Sequence, residues 1–500
     1  MLSIYAALLR DAGEAPGKTA VSDDAASLTR RGFVARISGL AHALPESARV
    51  IGLLAPNGVD WAAAQLACAF AGKTLVPLPT FFSAAQLAHV ARNAAIDHVW
   101  CAESMLGRVA QAGLPVIPLQ PRDEAREIAC GDGFQQIVYT SGTTGQSKGV
   151  RHGARQIAWS TQALARATAA SEQDRYLSVL PLAMLLETIC AVFIPALVGG
   201  TVHFAAALSE AVGRGAPSSL AAAFDHVNPT ASVLVPNLLR AWIGELACSG
   251  RRAPRRLRFV AVGGAPVPTA TAEAAWRMGV PVYEGYGLSE CCSVVALNRI
   301  GERWPGAVGR PLDGLDVRIV NGEIVVDGPS VTSGYVGGVE HVGPWRTGDL
   351  GSIDEHGCLR VLGRRDNVIV ASSGRNISPE WIETMLLADP RIAQCALVED
   401  GDGALAVVFI PSLVGAEWFA RASQDDVAEL ARRACAEAPD YAVPARHIIA
   451  SLGEALAAQL LTANGRIRRR EAAAFARANA RAPERPRRDQ GPAQAQETPT

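Results

Sequence analysis

Short apolar segments alternate with longer, alanine-rich amphipathic segments near the start of the chain. The predicted strands are residues 50–54, 74–78 and 98–101, and the predicted helices are residues 61–70 and 84–93. Such alternation is typical of a largely parallel sheet covered by helices. It returns in the middle of the chain, where the predicted strands are residues 232–235, 258–262 and 281–283. These regions therefore predict an α/β fold.

The pattern changes after Val308, where short strands and turns dominate. Asn321-Gly322 precedes a strand candidate at residues 323–326, and a second turn precedes residues 358–362. Turn residues in these positions are typical of hairpins and predict a β-rich subdomain. Past Arg364 a small α+β unit is expected, with helices at residues 379–387 and 424–435 and strands at residues 395–398 and 404–410.

Composition narrows the class of protein. The 500 residues are 49% hydrophobic and 19% charged, which is typical of a globular chain of two or three domains. A net charge of −1 gives no reason to expect nucleic acid as a partner. The first residues lack a signal-peptide pattern, and the ten cysteines suggest reduced thiols, so we expect a cytoplasmic protein. Residues 188–208 carry no charge, but Pro195 and Gly199-Gly200 favour a buried helix and a strand over a transmembrane segment.

Lysine is rare, since 44 of the 47 basic residues are arginine. Lys148 nevertheless lies in the string IVYTSGTTGQSKGV, residues 137–150. Hydroxyls, backbone N–H groups and one ammonium are what a polyphosphate needs. The order differs from a Walker loop because Ser147 precedes the lysine and Gly149 follows it. We predict a strand, a phosphate-binding turn and then a helix; a plain polar surface loop is the alternative.

Six motifs follow one another between residues 139 and 471. They are YTSGTTGQSKG at 139–149, YEGYGLSE at 283–290, GEIVVDGPSVTSGY at 322–335, WRTGDLGSIDEHGCLRVLGRRDNVIV at 345–370, GRNISPEWIE at 374–383 and TANGRIRRRE at 462–471. With these motifs the chain resembles the adenylate-forming (AMP-binding) superfamily of acyl-CoA synthetases, carrier-protein adenylation domains and beetle luciferases. It is most similar to AMP-forming acyl-CoA synthetases, that is, fatty acid–CoA ligases.

The resemblance implies an architecture. Residues 1–364 form a large N-terminal domain of mixed and parallel α/β subdomains with a β-rich subdomain. Residues 365–475 form a small, mobile α+β lid domain that pivots at a hinge, Asp366. Gly374 would line the tunnel for the thiol. Residues 476–500 are rich in Arg, Pro, Gln and Thr and are predicted to be a disordered tail.

The resemblance also implies a reaction. ATP would convert a carboxylic acid to an acyl-adenylate with release of pyrophosphate, and the thiol of CoA would then displace AMP. Lys148, Glu290 and Arg466 are the expected catalytic residues, with Glu290 holding Mg²⁺, which prefers oxygen ligands. Tyr286 would stack on adenine, and Asp349 and Arg364 would bind the ribose and phosphate. The expected ATP- and AMP-binding residues are Thr140, Ser141, Gly142, Thr143, Thr144, Gly145, Lys148, Gly264, Ala265, Gly285, Tyr286, Gly287, Ser289, Asp349 and Arg364.

Two positions depart from the family pattern. Arg466 stands where the family has a catalytic lysine, and arginine and lysine are not equivalent at a geometrically defined site. Either Arg466 does the same work, which the scarcity of lysine favours, or the protein is a nucleotide-binding pseudoenzyme. Met184 stands where many relatives carry His or an aromatic residue, and its thioether suits an apolar pocket.

The expected acyl-substrate residues are small or apolar: Met184, Val235, Gly263 and Leu288. They favour a hydrophobic acid, a fatty acid before an aryl acid. The thiol acceptor stays open between CoA and the phosphopantetheine arm of an acyl carrier protein, because both present the same group. No transmembrane segment is expected.

Overall fold

The computed structural model describes residues 1–140, 147–213, 219–370, 375–400, 404–461 and 467–480. Its strands, in chain order, are β1 Thr19–Asp23, β2 Ser27–Thr29, β3 Val50–Leu54, β4 Thr74–Pro77, β5 His98–Cys101, β6 Val116–Pro118, β7 Gln135–Thr140, β8 Lys148–Gly153, β9 Arg175–Ser178, β10 Thr201–Phe204, β11 Ala231–Leu234, β12 Phe259–Val262, β13 Val282–Tyr286, β14 Ala296–Leu297, β15 Arg310–Pro311, β16 Asp316–Val320, β17 Glu323–Asp327, β18 Trp345–Ile353, β19 Leu359–Arg364, β20 Ile369–Val370, β21 Asn376–Ile377, β22 Ile392–Glu399, β23 Leu405–Pro411 and β24 Arg446–Ile449.

The helices are α1 Leu2–Glu14, α2 Arg30–Ala43, α3 Val59–Phe70, α4 Ala84–Ala94, α5 Leu106–Ala112, α6 Ala154–Ala167, α7 Leu185–Thr188, α8 Ile194–Val198, α9 Ala206–Gly213, α10 Leu220–Val227, α11 Pro236–Ser249, α12 Thr269–Arg277, α13 Pro379–Leu386, α14 Ala416–Arg421, α15 Gln424–Ala434, α16 Leu452–Ala457 and α17 Arg469–Ala480. A π-helical turn, Ile189–Phe193, joins α7 to α8.

Two large sheets organise the first 311 residues. One has nine strands in the order β15-β14-β13-β12-β11-β9-β10-β1-β2, and the other has six in the order β6-β5-β3-β4-β7-β8. Most of their neighbouring strands are parallel, including β9, β10, β11 and β12. Two apolar cores fill the space between strands and helices, with Trp61, Trp100 and Trp242 fully buried in the larger one. The α/β expectation is confirmed.

The predicted β-rich region is an antiparallel sheet, β16-β17-β18-β19. Its first turn is the predicted Asn321-Gly322, whose φ angles of 53° and 79° are both left-handed. Val320 and Glu323 are paired across it, as expected for a two-residue hairpin.

The C-terminal part has its own sheet, β22-β23-β24, and its own apolar cores. Helix α17 packs against this sheet through Ala472 and Ala476, both fully buried. Because α17 continues to Ala480, residues 476–480 belong to it, and the sequence prediction that the tail starts at residue 476 is wrong there. Residues 481–500 lie outside the described part.

The uncharged stretch at residues 188–208 has the predicted form. Its helical part ends at Gly199, with φ 73°, and Thr201–Phe204 is a strand of the nine-stranded sheet. Among the described helices, none has both the length and the apolar character needed to cross a bilayer.

Candidate active site

Lys148 is the first residue of β8, which pairs with β7 in antiparallel register. Thr140 at the end of β7 lies opposite Lys148. The sequence prediction of a helix directly after the loop is therefore wrong: a strand intervenes, and α6 starts only at Ala154. Pairing with β7 explains why these residues form a strand; Val150, for example, lies opposite Val138. The predicted loop residues Ser141, Gly142, Thr143, Thr144 and Gly145 lie outside the described residues.

A cleft of about 1750 Å³ opens beside this hairpin. It is lined by most of the predicted site residues that the structure describes: Thr140, Lys148, Met184, Gly263, Gly264, Gly285, Tyr286, Gly287, Leu288, Ser289, Glu290, Arg364 and Asp366. Val235, Ala265 and Asp349 are not among the lining residues, although Asp349 contacts the lining residues Tyr286 and Arg364. Gly374 and Arg466 lie outside the described residues.

Tyr286 and Arg364, which line the cleft, form one hydrogen-bonded group with the buried Asp349 behind them. The Tyr286 hydroxyl donates to Asp349 Oδ2 at 2.6 Å, and Arg364 Nε lies 2.9 Å from Asp349 Oδ1. Strands β18 and β19 place the last two opposite each other. Burial raises the pKa of Asp349, although the Tyr286 hydrogen bond and the Arg364 charge oppose this shift. The site thus holds an oriented carboxylate between an aromatic ring and a cation.

Glycines shape this part of the backbone. A Cβ at Gly287 would overlap the carbonyl group of Ser293, so the fold itself requires glycine there. Gly264 has a left-handed φ of 82°, which side chains rarely adopt. Both residues line the cleft.

Tyr335 is a site residue for which the sequence interpretation proposed no role. Its hydroxyl donates to Glu290 Oε1 at 2.8 Å, and Lys148 Nζ lies 5.6 Å from the centre of its ring. Burial is the largest cause that raises its pKa, and the hydrogen bond to Glu290 adds to it. Tyr335 ends the motif at residues 322–335, so its position in that motif was the available signal.

Glu290 fits the donor set that Mg²⁺ needs. Among the described residues it forms no ion pair, and its carboxylate faces the cleft that Lys148 also lines. Mg²⁺ is usually held by one or two carboxylates together with substrate phosphates and waters. The described residues contain no cluster of three or more metal-ligating side chains, so phosphates would have to complete the coordination.

The C-terminal part closes one side of the cleft. Residues 467–471, at the start of α17, line it together with the predicted hinge residue Asp366. The Asp366 side chain is 84% exposed, and the neighbouring Arg365 donates to Glu323 at 2.9 Å. The segment directly after Arg466 thus lines the same cleft as Lys148 and Tyr286.

The inner end of the cleft runs along one face of the nine-stranded sheet. Tyr176, Ala231 and Phe259 stand side by side in neighbouring strands, and Val233 and Ala261 form the next row. All five line the cleft, as do Cys190 and Ile194 of the helical segment opposite. Arg258 and Asp174 are the charged lining residues at this end, and they pair with each other, with Nε to Oδ1 at 2.7 Å.

The family model described as AMP-binding enzyme matches residues 8–336, well over half of the chain. The chain belongs to the AMP-binding enzyme family. The resemblance read from the motifs is therefore confirmed for the superfamily. Within this AMP-binding enzyme, the match covers the hairpin with Lys148, the motif with Tyr286 and Glu290, and Tyr335.

Among its relatives is a 2-succinylbenzoate–CoA ligase of Bacillus velezensis, 32% identical over 289 residues, which are 53% of this chain and 56% of that protein. A long-chain-fatty-acid–CoA ligase of Mycobacterium bovis is 36% identical over 203 residues, 38% of this chain and 31% of that protein. The chain thus spans about half or less of these two relatives. The crystal structure of an anthranilate CoA ligase with anthranoyl-AMP has the same fold, with a TM-score of 0.82, 19% identity, and 96% and 98% of the two chains covered.

Proposed function

We propose that this protein is an AMP-forming acid–thiol ligase that converts a hydrophobic carboxylic acid to its CoA thioester. The observation that carries the proposal is the cleft itself. It brings Lys148, Tyr286, Glu290 and Arg364 together from three motifs that lie far apart in the chain. ATP, Mg²⁺ and CoA are the cofactor and cosubstrates that this function needs.

The reaction has two displacement steps. In the first, a carboxylate oxygen of the acid attacks the α-phosphorus of ATP, and the bond to pyrophosphate breaks. In the second, the CoA sulfur attacks the acyl carbon as a thiolate, and AMP leaves. A carboxylate alone is a poor electrophile, and the adenylate supplies a good leaving group.

The described side chains suit the first step. The Lys148 ammonium offsets charge on the departing pyrophosphate, and Arg364 does so nearer the α-phosphate. Asp349 accepts hydrogen bonds from the ribose hydroxyls. For this, the Tyr286 hydroxyl either gives up its hydrogen bond to Asp349 Oδ2 or shares that oxygen with the ribose. Mg²⁺ held at Glu290 would neutralise phosphate charge. Arg466, in place of the family's lysine, would bring a further cation to the reacting groups.

The inner cleft favours an acid with one carboxylate and an apolar body. Its walls are largely hydrophobic, including Met184, Val233 and Ala261. A second carboxylate on the substrate would need an unpaired cation, and Arg258 is already paired with Asp174. This supports a fatty acid over a dicarboxylic acid such as 2-succinylbenzoate, with aryl monocarboxylic acids as the second choice.

A pyrophosphate-release assay over fatty acids of graded chain length, benzoate, malonate and 2-succinylbenzoate tests the proposal. We expect release with fatty acids and little with the two dicarboxylic acids. Each assay is run with CoA, with a panel of carrier proteins, or with no thiol, which identifies the acceptor. If none of the acids causes pyrophosphate release, the nucleotide-binding pseudoenzyme is favoured instead.

A further inference from the structure

Arg240 of helix α11 reaches out of the N-terminal domain and binds the C-terminal domain. Its Nη1 donates to the carbonyl oxygens of Leu387 at 3.1 Å and Ile392 at 3.2 Å, and its Nη2 donates to that of Ala393 at 2.8 Å. Nη2 also donates to Asn237 Oδ1 at 2.7 Å, one turn earlier on α11. One side chain therefore makes three hydrogen bonds between the domains.

Three backbone carbonyls and the side-chain oxygen of Asn237 face the charge of this arginine. Among the described residues no carboxylate pairs with it, and burial lowers its pKa. Its partner Leu387 directly follows α13, so Arg240 lies at the C-terminal end of that helix, where a cation is favoured. A half-buried guanidinium without a carboxylate is costly unless its donors are satisfied, and here the other domain satisfies three of them.

The Arg240 contact is separate from the hinge. Among the described residues, two other side-chain hydrogen bonds join the domains, from Arg365 to Glu323 and from Ser378 to the Leu362 carbonyl. Their C-terminal-domain partners, Arg365 and Ser378, lie within about twelve residues of Asp366, whereas Leu387 to Ala393 lie further along the chain. Rotation about a hinge at Asp366 would separate Arg240 from its three carbonyls, whereas Arg365 and Glu323 both precede the hinge and would stay together.

We propose that Arg240 is a positioning residue: it latches the C-terminal domain in the orientation in which residues 467–471 line the nucleotide cleft. The inference rests on the proposed function. In that orientation the segment around Arg466 serves acyl-adenylate formation. If the domain rotates to present the Gly374 segment for thiol transfer, the latch must open.

Separate assays of the two half-reactions test the latch. Arg240→Met should lower the rate of acyl-adenylate formation by about ten-fold or more, since it removes several hydrogen bonds to a charged group. Thioester formation from a supplied synthetic acyl-adenylate should stay unchanged or rise. Arg240→Lys should recover part of the first rate, and Asn237→Ala should cause a smaller loss. Arg421→Ala, at an arginine 78% exposed, is the matched control.

Hydrogen–deuterium exchange gives a readout that needs no substrate. In Arg240→Met we expect faster exchange at residues 467–471, which Arg240 does not touch, as well as at residues 387–393. Faster exchange confined to residues 387–393 would overturn the proposal. An equal loss of rate in both half-reactions would also overturn it. If no acid supports pyrophosphate release in the unmodified protein, the proposed function fails, and the exchange experiment still decides whether the latch holds the domain.

Discussion

At the scale of single residues, the site is organised by two tyrosines that orient carboxylates. Tyr286 donates to Asp349, and Tyr335 donates to Glu290. In each carboxylate the phenol fixes one oxygen; the other oxygen of Asp349 pairs with Arg364, whereas Glu290 forms no ion pair among the described residues. Both carboxylates are thereby oriented before any ligand binds.

Tyr335→Phe should weaken magnesium-dependent ATP binding. The substitution keeps the ring beside Lys148 and removes only the hydrogen bond to Glu290. Loss of a hydrogen bond that orients a metal ligand typically lowers metal affinity by about ten-fold or more. Calorimetric titration of ATP at several Mg²⁺ concentrations should show a higher Mg²⁺ requirement. Tyr139→Phe is the control, because that hydroxyl also lines the cleft but donates to Asn93. An unchanged Mg²⁺ requirement would contradict the role.

Glu187 is expected to make the stability of the folded protein depend on pH. It is fully buried and accepts from Tyr176 at 3.1 Å, and burial raises its pKa to about 8. Between its unfolded pKa of 4.5 and about 8, the unfolded chain releases this proton and the folded chain keeps it, so stability falls as pH rises.

Glu187→Gln removes this titration. Relative to the unmodified protein, its free energy of unfolding should be similar at pH 5 and higher at pH 8 by roughly 2–4 kcal/mol. Urea denaturation at the two pH values measures the difference. Glu417→Gln, at an exposed glutamate, should show no such trend. A stability difference for Glu187→Gln that is equal at pH 5 and pH 8 would contradict the buried neutral acid.

At the scale of elements, apolar runs predicted several of the buried strands, although β9 in the middle of the nine-stranded sheet was not expected. Val50–Leu54 and His98–Cys101 were predicted with their observed bounds. Strand β8 was missed, because Lys148 to Gly153 mixes charged, apolar and glycine residues. Its pairing with β7 decides its conformation, and that pairing is not visible in a short sequence window.

Most of the expected site residues that the structure describes line the cleft, but the motifs did not predict their contacts. Asp349 and Arg364 were expected from the family resemblance, yet their mutual ion pair depends on the pairing of β18 with β19. Arg240 carries no sequence signal at all, because its three acceptors are backbone carbonyls some 150 residues away. Val235 was expected in the acid pocket from its place in the sequence, but the fold does not bring it to the cleft.

At the scale of the whole molecule, two domains meet over one cleft, and each contributes to its lining. The N-terminal domain supplies the hairpin with Lys148, the Tyr286 and Tyr335 groups and the apolar inner end. The C-terminal domain supplies the segment after Arg466. The account therefore requires that acid activation and nucleotide cleavage occur in the same place and in fixed proportion.

Product stoichiometry tests this central claim most directly. The protein is incubated with ATP, Mg²⁺, CoA and the acid that gives most pyrophosphate release, and the products are quantified by liquid chromatography and mass spectrometry. The account predicts AMP, pyrophosphate and acyl-CoA in equal amounts, all dependent on the acid. Formation of ADP and phosphate, or of AMP without any acyl product, would contradict it.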